Sequence, residues 1–160
     1  MFWRDQNAFS LMELMVVVTI LGILSAVAIP AYINHVNRAN QSDAIVALTT
    51  LQLEQETFYE RNNYGHYAKT VGCLPSFATT STCLAANGCA ACAQTVYVTA
   101  RGYTIGLTSG LATTVFLASA VKTYYKSGNV DRVTISATNA VPVVVNPSAI
   151  GFSFYKWLFK

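Results

Sequence analysis

The chain is predicted to be α+β: a long, kinked N-terminal helix, half of it transmembrane, packed on an antiparallel β-sheet. Three observations predict this. Residues 8–31 read AFSLMELMVVVTILGILSAVAIPA, an almost wholly apolar run long enough to cross a bilayer as a helix. Apolar side chains then recur at helical spacing through Ala44, Leu48 and Leu51. From Thr95 onward the period falls to two.

Residues 1–8 form a short leader, and 9–62 the helix, with about 9–30 as its membrane segment. A secretory signal would have an apolar region of about 7–15 residues and a small-residue cleavage site beyond it. Here the run continues from Leu14 to Ile29 and ends without a clear site of that kind. Glu13 lies near its front end, and a charge at the centre of a membrane helix costs roughly 2.5–3.5 kcal/mol, so something must offset it. Pro30 removes one backbone donor and crowds the preceding turn, which bends the helix. The helical pattern then resumes: Ala44, Leu48, Leu51, Gln55 and Phe58, flanked by Ile45, mark one face. Asp43, Gln52, Glu54, Glu56 and Glu60 lie largely off it. Arg61-Asn62-Asn63-Tyr64-Gly65 is poor in helix formers and stops the element. A helix over 9–62 would be roughly 80 Å long at 1.5 Å per residue.

Residues 63–160 form the globular head, with a cysteine-containing loop over 63–94 and a sheet and C-terminal tail over 95–160. Val96 and Val98 alternate with Thr95, Tyr97 and Thr99; Tyr103, Ile105 and Leu107 with Thr104, Gly106 and Thr108; Val133 and Ile135 with Arg132, Thr134 and Ser136. These are half-buried antiparallel strands. Val115–Leu117 is a further short strand, and Ser127-Gly128-Asn129 a turn. Pro142 demotes Val141–Val145 to an edge. The aromatic tail after Phe152 is either a last strand or a subunit contact.

The four cysteines, Cys73, Cys83, Cys89 and Cys92, all fall in the loop. In an extracytoplasmic head an even count implies two disulfides, with three pairings open. A zinc site lacks its second Cys-x-x-Cys, and Ala93 replaces the histidine of a haem attachment motif.

Charged residues are 11% of the chain and the net charge is +3. Lys122, Lys126 and Arg132 come nearest to a basic cluster, and a solvated sheet face explains them as well as a nucleic-acid contact does. Nucleic acid is therefore a possible partner that the sequence does not support. Beyond Glu60 the only acidic residue is Asp131, which cannot make a paired acid and base. His35 and His66 sit in no metal-spacing or nucleophile motif. The expectation is a protein that is not an enzyme, with no catalytic residue, metal or cofactor.

Ala8-Phe9-Ser10-Leu11-Met12-Glu13-Leu14, then Gly22, then Ile29-Pro30-Ala31-Tyr32, resembles the class III signal of type IV pilins. The resemblance implies cleavage by a prepilin peptidase between Ala8 and Phe9, and N-methylation of Phe9. Ala8 stands where the family usually has Gly. The resemblance also makes Glu13 the assembly glutamate, paired with a neighbouring subunit's charged N-terminus, and Gly22 and Pro30 the family's helix glycine and kinking proline. It implies a single-pass inner-membrane subunit that polymerises with other pilins, through the pilus assembly machinery, into an extracellular filament for motility, adhesion or DNA uptake. The alternatives are a type II secretion pseudopilin and a membrane-anchored binding domain that never polymerises.

Overall fold

The computed structural model describes residues 9–61, 66–79, 92–109, 114–124 and 129–151. Two compact units divide them, one carrying 9–36 and the other Asn37–Gly151. Helix α1 spans Leu11–Arg61, with Pro30 inside it and no break in helical structure there.

From Phe9 to Ile29, within the first unit, the helix exposes its whole circumference. Phe9 through Ile29 presents Leu, Met, Val and Ile side chains at roughly half to three-quarters of full exposure. This part of α1 is long and apolar enough to cross a membrane. Water is a poor solvent for such a surface, so its stable surroundings are lipid or other apolar helices.

In the second unit α1 becomes one-sided. Ala44, Leu48, Leu51 and Gln55 are fully buried, the face expected from their spacing. They share one core with Tyr103, Ile105, Phe116, Ala118, Ala120, Val133 and Ile135 of the sheet. Each fully buried leucine contributes about 1.5–3 kcal/mol by leaving water.

The sheet is a meander of five antiparallel strands in the order β1 (Val96–Val98), β2 (Thr104–Ser109), β3 (Phe116–Tyr124), β4 (Asn129–Ser136) and β5 (Asn139–Val144). Its inner face alternates with an outer face of Val, Thr and Ser. The central strand β3 is longer than the Val115–Leu117 stretch expected. Its residues 118–124 mix Ala, Ser, Lys and Thr, and only the pairing on both sides reveals the strand. The small inner-face residues Ala118 and Ala120 leave room for the helix above the centre of the sheet. The proline-bearing β5 is an edge, as expected, and the pairing of β4 with β5 is irregular between Thr134 and Ser136.

The segment between helix and sheet is stapled by side chains as well as by cysteine. Gln55 donates through Nε2 to the Ala68 carbonyl at 3.2 Å and accepts from the Ala68 amide at 2.8 Å. Gln94 donates to the Phe77 carbonyl at 2.7 Å and accepts from the Thr79 amide at 2.9 Å. A buried 3₁₀ turn, Val71–Cys73, sits between these anchors. Tyr67 packs on Tyr59 and edge-on against Phe116, each at 4.9 Å between ring centres. Cys73 and Cys92 are each engaged in a disulfide. Cys83 and Cys89 lie outside the described residues, as do Ala8, the Ser127-Gly128 part of the expected turn and the aromatic tail.

Candidate functional site

Two regions hold residues that packing alone does not explain. At the start of α1, the Ser10 carbonyl accepts from the amides of Glu13 (3.0 Å) and Leu14 (3.2 Å), opening the helix two residues after Phe9. Glu13 is exposed in the first turn, where the helix dipole favours a carboxylate. A Cβ on Gly22 would meet nothing within 4 Å, so the fold of this chain does not demand a glycine there. Pro30 lies inside α1, and Cys73 and Cys92 lie in the head, apart from these residues in the chain.

The second region is one end of the sheet in the second unit. Strands β1 and β2 are joined by a tight hairpin over Ala100-Arg101-Gly102, closed by Gly102 N–H to the Thr99 carbonyl and Thr99 N–H to the Tyr103 carbonyl, both 2.9 Å. Gly102 has φ +80°, a left-handed conformation that disfavours other residues. The turn projects the exposed Arg101, whose guanidinium donates to Asn40 Oδ1 of α1 at 3.3 Å. Lys122 of β3 donates from Nζ to the Arg101 carbonyl at 2.5 Å. The same Nζ stands 5.4 Å from the Tyr103 ring centre and 5.1 Å from that of Tyr124.

Beneath this lies a buried polar network. Asp131 is fully buried and accepts from the Tyr103 hydroxyl at 2.5 Å and from Gln41 Nε2 at 3.1 and 3.2 Å. The Tyr103 and Tyr124 hydroxyls are 3.1 Å apart. Burial, and then the hydrogen bond to Asp131, push the Tyr103 phenol far above its usual value. Burial and the neighbouring Arg101 lower the Lys122 ammonium, against a weaker pull from Asp131 and Asp43. Among the described residues no buried side-chain nitrogen or oxygen lacks a partner, and none group as a metal site.

Arg132 belongs to the same end. Thr104, Val121 and Arg132 share a cross-strand row, so Arg132 stands two strand spacings, about 10 Å, from the strand that leaves the Arg101 turn. Arg132 is exposed and lies on the outer face, opposite to Lys122. Lys122 and Arg132 stand out in the sequence as part of its nearest approach to a basic cluster, whereas Arg101 does not. Nor does any local pattern reveal that Asp131 is bound by Tyr103 and Gln41, residues 28 and 90 positions away. One signal was available. After residue 65 the chain has seven Lys and Arg (Lys69, Arg101, Lys122, Lys126, Arg132, Lys156, Lys160) against Asp131 alone, an asymmetry hidden by the whole-chain value of +3.

An early-glutamate apolar helix whose second half packs on an antiparallel sheet defines a pilin-like subunit, and pilins are not enzymes. Residues 3–29 match the prokaryotic N-terminal methylation motif, and residues 30–132 match the family described as type IV minor pilin ComP, DNA uptake sequence receptor. The chain belongs to that minor-pilin family. No curated protein and no solved structure matches the chain.

Proposed function

We propose that this protein is a minor subunit of a competence pilus, and that the basic end of its sheet holds DNA for uptake. The observation that carries the reading is the charge asymmetry. Beyond residue 65 the single anion is buried and occupied by hydrogen bonds, while Arg101 and Arg132 stand exposed. Such a surface attracts a polyanion by neutralising phosphates and releasing their counterions. The family's printed description, a DNA uptake sequence receptor, supports the same conclusion.

Assembly rests on the other region. Prepilin peptidase cuts between Ala8 and Phe9, and Phe9 is methylated. The apolar segment of about 9–30 holds the subunit in the inner membrane until it enters the extracellular filament. There Glu13 pairs with the charged terminus of a neighbouring pilin, since a carboxylate buried among apolar helices needs a partner. The open space at Gly22 suits close approach of another helix. Cys73, Cys83, Cys89 and Cys92 form two disulfides that hold the loop. The minor-pilin family favours a pilus over a secretion pseudopilus.

The test is binding of fluorescent duplex DNA by the full-length protein in detergent, read as affinity against salt. The affinity is expected to fall steeply between about 50 and 200 mM salt, and the slope to shrink by about 0.9 for each phosphate-contacting cation removed. Binding unchanged by the Arg101→Gln, Arg132→Gln double variant would overturn the reading.

A further inference from the structure

Among the cations at the basic end of the sheet, one is committed to the protein itself. We infer that Lys122 is a positioning residue: it clamps the β1–β2 turn and so fixes where the Arg101 guanidinium stands, rather than meeting DNA. This rests on the DNA-binding reading of that end.

The bonds that close the hairpin join Thr99 to Gly102 and Tyr103, so the three exposed tip residues need a further contact to hold the Arg101 carbonyl. Lys122 supplies one from the neighbouring strand, donating from Nζ to the Arg101 carbonyl at 2.5 Å. Its stem passes beside the turn, with Cε 4.0 Å from where a Cβ on Gly102 would lie.

The clamp has a rigid base. The two tyrosine rings beside Nζ are tied through their hydroxyls to each other and, from Tyr103, to buried Asp131, which Gln41 also holds. An ammonium flanked by two ring faces and a carbonyl is partly desolvated, so leaving for a phosphate would break contacts already made. Arg101 is then fixed at both ends: its carbonyl by Lys122 and its guanidinium by Asn40, the weaker and exposed contact at 3.3 Å. The Asn40 contact can be exchanged for a phosphate, because guanidinium has five donors. Two adjacent cations thus divide the work, one presenting and one presented.

The experiment compares Lys122→Met and Arg101→Gln in the full-length protein, using a mixed-sequence fluorescent duplex. Amide hydrogen exchange at Gly102 and Tyr103 is measured alongside. Arg101→Gln should lower the salt slope by about 0.9, as loss of one phosphate contact does. Lys122→Met should leave the slope unchanged, weaken binding about 2- to 10-fold, as loss of one hydrogen bond implies, and speed exchange at Gly102 and Tyr103 several-fold. A slope that falls equally in both variants would make Lys122 a phosphate contact and overturn the inference. Unchanged exchange in Lys122→Met would overturn the clamp, whatever the binding data. Failure of the unsubstituted protein to bind DNA would instead overturn the DNA reading, and with it the role given to Arg101.

Discussion

Replacing Tyr103 by Phe removes one oxygen from a fully buried position and tests the network under the basic turn. That hydroxyl donates to the Asp131 carboxylate at 2.5 Å and lies 3.1 Å from the Tyr124 hydroxyl. A hydrogen bond to a charged group contributes about 1.5–3 kcal/mol and a neutral one about 1 kcal/mol. The variant leaves Asp131 buried with Gln41 as its remaining described side-chain partner, so the loss should be about 3 kcal/mol. For a unit spanning Asn37–Gly151, and at about 4 °C per kcal/mol, the midpoint should drop by about 12 °C. The assay is thermal unfolding followed by near-ultraviolet circular dichroism in detergent, where the tyrosine signal reports head packing.

The same variant has a pH signature. The folded state holds the Tyr103 phenol well above its ordinary value of 10.0, so above that pH the unfolded chain releases a proton that the folded chain retains. More protons bound in the folded state mean that stability falls as pH rises, by about 1.4 kcal/mol per pH unit for one group. This contribution is complete below about pH 10 and lost above it. Tyr103→Phe should remove that part of the alkaline slope. A midpoint shift under about 3 °C, together with an unchanged alkaline slope, would refute the reasoning and mean that water reaches Asp131.

The remaining predictions concern the staples and assembly. Gln55→Leu keeps the volume but strands the Ala68 amide and carbonyl in the core, and should cost about 2 kcal/mol in the same melt. Gly72→Ala should be worse than an ordinary overpacking change, about 1–3 kcal/mol, since its Cβ would collide with Cys92 Sγ and approach Gln94 Cβ to 2.8 Å; proteolytic sensitivity of the loop would show it. Glu13→Leu should enter the membrane at the unsubstituted level yet be missing from sheared filaments, and its recovery there in normal amount would remove Glu13 from assembly. The intact mass of the native protein should show loss of Met1–Ala8, gain of one methyl and four missing thiol hydrogens.

The sequence by itself determined the helix, its bilayer-length apolar start and its buried face. These depend on local periodicity, which no distant contact has to supply. Ala44, Leu48, Leu51 and Gln55 are buried because every third or fourth residue returns to one side of a helix. The edge position of β5 was legible from Pro142, which lacks the donor that a central strand needs. The full length of β3 was not legible, because Ala118–Tyr124 carries a weak strand signal and is a strand by virtue of its neighbours. Only the tertiary structure decided what Asp131, Lys122 and Arg101 do. In sequence they are one acid and two bases scattered over two strands and a turn. Folding buries the acid against Tyr103 and Gln41, locks the lysine between two rings and leaves the arginine outside. The sign of a surface depends on which charges are removed from it, and that is set by contacts up to 90 positions apart.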